Sequence, residues 1–284
     1  MSEFQPLHEA HAIEQVVFAV QFNVGLDDTA FTKIIAITEP YKELLPRVID
    51  LGAFSFPLLF QSGIPMPPML QGLQPNQQQA TAGRSFSKYR DDGSLETELR
   101  IERAAISYRT TVYTTWRQLW SAASPYFDAV VPTYADSAQF ASISLSYVDK
   151  FHWDGNPEDA RAAKLLRPGS QYVTPNVYAL EDLWHCHTGA FLHPDPETKR
   201  LMNINVDCND ENRAGVVRRV LAIATVFTDM FNQPGYPSKA VAGADANAFF
   251  IERLNQLHDH SKQAFGQIIN DGMCRRIALV APSP

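Results

Sequence analysis

From Phe140 to Trp153 the chain reads FASISLSYVDKFHW, and Ile143, Leu145 and Tyr147 alternate with Ser142, Ser144 and Ser146. A period of two sends one set of side chains to one face of an extended strand and the other set to the opposite face. The same period recurs in IEQVVFAVQFN, SFSKYR, SLETELRIE, AISYRTT, LWHCHTGAFL and RLMNINVDC. Short reversals join several of these runs: Asp92-Gly93, a turn near Arg103, and HPDPET. Asp-Gly between alternating runs is a hairpin signal, because both residues tolerate the positive φ of a tight turn. Strands joined this way must pair antiparallel.

Helical spacing separates the strands. LDDTAFTKIIAITEPYKELLPRVID offers Asp27 or Asp28 as an N-cap and places Phe31, Ile34 and Ile35 on one face, with Pro40 splitting it into two short helices. TTWRQLWSAASPYFDAVV, capped by Thr114 or Thr115, puts Trp116, Leu119, Trp120 and Ala123 together, and Pro125 is expected to kink or end it. The stretch ENRAGVVRRVLAIATVFTDMFNQ predicts an amphipathic helix from Glu211 to Phe231, with Val217, Val220, Leu221, Ala224 and Phe227 inward. A last helix carries Phe250, Leu254, Leu257, Ser261, Phe265 and Ile268 and is expected to end at Gly272.

These elements predict an α+β fold, with antiparallel sheets built from hairpins and packed against long amphipathic helices. Strands and helices come in two rounds, so two similar halves are expected, 1–155 and 156–284, or else one continuous domain. The first half contains a proline- and glutamine-rich excursion at 62–83, read as a long surface loop.

Composition narrows the function. With 45% hydrophobic residues in 284, the chain has ample material for a core. A net charge of -7, with no run of Lys or Arg longer than two, argues against a dedicated nucleic-acid binder, which needs a concentrated basic face. The start MSEFQPLHEAHAIEQ lacks the basic-then-apolar pattern of a signal peptide, and no uncharged apolar run approaches the ~18 residues of a membrane span. Cys186, Cys208 and Cys274 are widely spaced and odd in number, which reads as reduced thiols. A cytoplasmic protein without membrane contact is expected.

The runs IEQVVFAVQF, YTTWRQL, ISLSYVDKF, LMNINVDC and LHDHSKQAFGQIIND, in this order along nearly the whole chain, resemble a large, sporadically distributed prokaryotic family of cytoplasmic proteins. The resemblance implies a shared fold and a bacterial accessory or mobile gene, with a link to defence systems. It implies no catalytic residue.

One segment invites chemistry. In DLWHCHTGAFLHPD, His185 and His187 share a strand face and Cys186 points the other way. Pairing with the next strand sets His185 near Asp207 and His187 near Asn205. Two imidazoles and a carboxylate suit zinc or iron, yet a hairpin with one face in water produces the same polar row. The first expectation is therefore no cofactor, and the alternative is a metal-dependent enzyme using His185, His187 and Asp207.

His258 and His260 sit about 200° apart around a helix, so they cannot chelate one ion together; one is expected to pack and the other to face water. Asp149 shares its strand face with Leu145 and Tyr147, and if buried it needs a partner, expected to be backbone or Arg. Tyr113, Trp116, Trp120, Tyr126 and Phe127 read as core before pocket. The chain contains no GxxxxGK(S/T), GxGxxG after a strand, GxSxG or HExxH. The leading expectation is a non-enzymatic binding protein. It would act through a protein partner or self-association, or hold a small molecule between sheet and helices.

Overall fold

The computed structural model describes residues 3–52, 82–213 and 215–279. The excursion at 62–83 thus lies outside the described residues up to position 81, and Gly83 opens a strand. In chain order the elements are β1 (Phe4–Pro6), β2 (Ile13–Phe22), α1 (Asp28–Thr38), β3 (Arg47–Leu51), β4 (Gly83–Tyr89), β5 (Leu95–Glu102), β6 (Ala105–Thr110), α2 (Trp116–Asp128) and α3 (Val131–Ala135). Then follow β7 (Phe140–Trp153), β8 (Trp184–Asp195), β9 (Thr198–Arg213), β10 (Val216–Met230), α4 (Ala244–Ile268) and α5 (Asp271–Arg276).

The described strands form one ten-stranded antiparallel sheet in the order β3-β4-β5-β6-β2-β7-β10-β9-β8, with β1 also on β7. β6 returns beside β2, β10 returns beside β7, and the β2–β7 pair joins the two runs at the centre. The mixed helix and sheet composition and the antiparallel pairing expected from the hairpin turns are both present. Gly93, at φ 79°, makes the β4–β5 reversal.

One sheet face is apolar along its length. Val16, Phe18 and Val20 of β2 lie level with Tyr147, Leu145 and Ile143 of β7. Leu221, Ile223 and Phe227 of β10 lie level with Cys208, Val206 and Met202 of β9. All are buried. α4 covers β7 and β10 with Phe250, Leu254, Leu257, Ser261, Phe265 and Ile268, a stripe at helical spacing that is buried throughout. Phe250 contacts Trp120 and Phe127 of α2, so helices and sheet share one core. Arg200 and Asp229 face each other inside this layer in a bidentate pair at 2.5 and 2.8 Å, both essentially without solvent contact.

Three sequence expectations need correction. The stretch from Glu211 to Phe231 is not a helix: it is the end of β9, a turn, and β10. Apolar residues at 217, 220, 221, 224 and 227 fit a helical face, but Leu221, Ile223, Thr225 and Phe227 fit a strand face equally well. The β-branched content and the open edges of β7 and β9 decide for the strand. Gly215, at φ 82° with its N–H on Asn212 Oδ1 at 3.0 Å, marks the turn. Arg47–Leu51, read as the tail of a helix, forms edge strand β3. Finally, α4 stops at Ile268, four residues before Gly272, because Ile269 turns extended and Asn270 caps α5 through the Met273 N–H.

No helix among the described residues is long and apolar enough to cross a membrane.

Candidate functional site

β1 and β2 would be one continuous strand along β7 but for the residues between Pro6 and Ile13. Pro6 pairs with Phe151 and Ile13 with Asp149, so the intervening chain leaves the sheet opposite Lys150 alone. Lys150 ties both ends of the excursion: its carbonyl accepts from Leu7 N–H at 3.0 Å, and its own N–H donates to Ala12 at 2.8 Å. An interruption of this kind lifts the backbone off the sheet and opens space above it.

That space is a cavity of about 910 Å³. Its walls are the excursion (Ala10, His11, Ala12), the start of α2 (Thr114 to Gln118), the β7 residues Tyr147 and Asp149, α4 (His258, Ser261, Lys262, Phe265) and Ile277–Leu279. Five stretches of chain meet there.

Asp149 lies at the bottom. It is 3% exposed, and among the described residues no side chain or main-chain N–H hydrogen-bonds its carboxyl. The expected backbone or Arg partner is absent, and Lys150 points to the opposite face, bound to Glu14 at 2.9 Å and Glu211 at 2.6 Å. Burial alone pushes the Asp149 carboxyl up to about 8, so at neutral pH it carries a proton. A carboxylate left without a counter-charge in an apolar site takes up a proton.

Aromatic rings surround it. Tyr113 and Tyr147 meet edge to face at 6.1 Å. Burial pushes the Tyr113 phenol up to about 12, and the neighbouring Asp149 charge adds to the push. Burial also holds Tyr147 well above the usual phenol range, with Tyr113 and Asp149 contributing. The Tyr147 hydroxyl shares a 2.9 Å hydrogen bond with His258 Nδ1, and the His258 ring stacks on Trp116 at 4.6 Å, 6° from parallel. Trp116 is oriented in turn by its Nε1–H, which donates to Asn255 Oδ1 at 2.8 Å. Burial takes His258 down to about 4, with Asp259 opposing and Lys262 reinforcing, so the ring is neutral at pH 7. His11 packs edge-on to Tyr113 at 5.5 Å.

His258 and His260 are therefore both packed, contrary to the expectation that one faces water. His260 meets the guanidinium of Arg200 through Nδ1, and burial, then the charge of Arg200, lower its pKa. Of the five aromatic residues read as core, Tyr113 and Trp116 line the cavity, Tyr126 and Phe127 belong to the core, and Trp120 is half-buried against it.

The histidine hairpin sits elsewhere, on the opposite face of the sheet. His185 pairs with Asp207 and His187 with Asn205 in the β8–β9 register. His185 Nδ1 contacts Asp207 Oδ1, while His187 Nε2 reaches Asn203 Oδ1 at 3.5 Å and lines a shallow hollow of about 460 Å³. Cys186 and Cys208 are buried on the core side, Cys274 is buried within α5, and all three are free thiols. Among the described residues no three His, Cys, Asp or Glu side chains converge as a metal set would.

His11 and Lys262 are cavity residues that periodicity alone does not single out. The legible signal is Asp149, an acid set on the apolar face of a strand between Tyr147 and Phe151. No protein-family model and no curated protein matches the chain.

Proposed function

We propose that this chain is a non-enzymatic binding protein whose cavity holds a small molecule between sheet and helices. The carrying observation is the partnerless, buried carboxyl of Asp149 at the bottom of a 910 Å³ aromatic-walled cavity. Ligand cavities run roughly 300–1,000 Å³, mostly apolar with a few placed polar groups. A protein keeps an unpaired buried acid at a cost in stability, and a ligand that pairs with it offsets that cost. The test is ligand-observed NMR with a mixed small-molecule library on the full chain. Binders should be displaced from the wild type by one another and lost in Ala10→Trp, which fills the cavity from its surface loop. Binding untouched by Ala10→Trp would refute the assignment.

A protein partner or self-association is the second reading. Support comes from the two edge strands, where Val48 and Ile49 of β3 and Leu183 and Phe191 at β8 are exposed. Sedimentation across a concentration series tests it. The accessory, defence-linked role in a bacterial gene set and the two-halves architecture are proposed on the family resemblance and on the repeated strand path. A metal-dependent enzyme on the His185, His187 and Asp207 face is the alternative, supported by the His185–Asp207 contact. Elemental analysis of untagged protein decides it: near one equivalent of zinc or iron, lost in His185→Ala, would favour that alternative.

A further inference from the structure

Resting on the reading that the cavity binds a small molecule, we infer that its ligand is an organic ammonium ion, with Asp149 as counter-ion and Tyr113, Trp116 and Tyr147 as the surrounding rings. Three features carry this. Asp149 is buried, opens into the cavity and has no cationic partner among the described residues. A ligand supplying a positive charge turns a desolvated acid into a paired, hydrogen-bonded ion. Tyr113, Trp116 and Tyr147 line the same cavity, and aromatic rings attract organic cations, an attraction strengthened by exclusion of water. Trp116 is held in place from both sides, by Asn255 at its indole N–H and by the His258 ring on its face.

The charges around Asp149 fit the same assignment. On its own strand Tyr147 stays protonated, as does Tyr113 ahead of α2. From α4, His258 is neutral, and from the excursion His11, with the His8 ring tilted against it at 4.6 Å, has its pKa lowered by burial and then by His8. Arg117 and Lys262 are the cations on the wall, and both are exposed to solvent at the rim. A ligand with its ammonium inward and an acidic group outward would satisfy both ends.

Binding is a proton exchange: the Asp149 carboxylic acid releases its proton to solvent, and the resulting carboxylate pairs with the incoming ammonium. Above about pH 6.5 Asp149 is the cavity-lining group that changes charge, from neutral acid to carboxylate, since the two tyrosines stay protonated and His258 and His11 have already lost their protons.

The experiment is isothermal titration calorimetry of the full chain with 4-methylbenzylamine, 4-methylbenzyl alcohol and 4-methylbenzoate. The amine should bind at least about tenfold more tightly than the alcohol at pH 8, and the benzoate weakest of the three. At pH 7, runs in buffers of different ionisation heat should show about 0.9 proton released per amine bound, as a carboxyl near 8 requires. Asp149→Asn should erase both the preference and the proton release while alcohol binding changes less than about threefold. Should that variant misfold, the ranking of the three probes on the wild type decides. Equal binding of amine and alcohol, or a preference for benzoate, overturns the ammonium assignment. The small-molecule reading then survives through alcohol or benzoate binding that Ala10→Trp blocks. If none of the three probes binds, both readings fall.

Discussion

Replacing Asp149 with Asn should stabilise the protein, and the size of the gain should depend on pH in a defined way. Asn has nearly the shape of the protonated acid and cannot ionise. In the folded chain burial raises the Asp149 carboxyl from 3.8 to about 8. The unfolded chain, with its ordinary value, therefore gives up the proton first as pH rises. Below about pH 4 both states hold the proton and Asp149 carries no ionisation penalty. Between the two values wild-type stability falls by about 1.4 kcal/mol for each pH unit. Above about 8 both states are ionised and the loss levels off. At pH 7, with 3.2 pH units traversed from 3.8, the loss is on the order of 4 kcal/mol. Against a total folding stability of ~5–15 kcal/mol this is a large fraction. Urea unfolding of wild type and Asp149→Asn at pH 5, 6, 7 and 8 measures it directly, because the other titrating groups are common to both proteins and cancel in the difference. The stability gap should widen in favour of the variant up to about pH 8 and then hold. A gap independent of pH, or a variant less stable at pH 8, would falsify the claim that Asp149 is buried without a partner.

Further outcomes follow from the same packing. His258→Phe keeps the stack on Trp116 and removes a base held near 4; the wild type should lose stability relative to it as pH falls from 6.5 to 4, with no change in the gap above that window. Leu257→Ala, at a fully buried position on α4, should cost ~2–5 kcal/mol in thermal or urea unfolding. The loss should not shrink as protein concentration rises if α4 packs within one chain, which melting at several concentrations checks. Arg200→Met alone removes both hydrogen bonds from the buried Asp229 carboxylate, leaving only Arg253 Nη1 at 3.8 Å, and should cost ~3–5 kcal/mol, whereas Arg200→Met with Asp229→Leu should recover most of it. A double-mutant cycle that is additive would show that the pair is not coupled.

Part of this fold is written locally. Period two along β7, the Asp92-Gly93 turn, the Asp27 cap whose side chain accepts from Ala30 N–H at 2.8 Å, and the Phe250-to-Ile268 stripe each depend on residues a few positions apart. Such patterns survive translation into structure because backbone geometry alone sets which side chains share a face. The pairing of His185 with Asp207 was legible for the same reason, since a short hairpin fixes its own register.

The tertiary structure decided what has no local signature. Residues 216–230 satisfy both a helical and an extended template, and the edges of β7 and β9, some 70 residues and a few residues away in sequence, chose between them by offering hydrogen bonds on both sides. Asp149 looked like any strand acid needing a partner; that it meets none among the described residues follows from an excursion at Leu7–Ala12, the start of α2 and the middle of α4 closing over it. His258, which sequence spacing could only rule out as half of a metal pair, became the ring between Tyr147 and Trp116. Periodicity reports which face a residue occupies. Whether a buried group meets a partner or a cavity depends on segments that are adjacent only once the chain has folded.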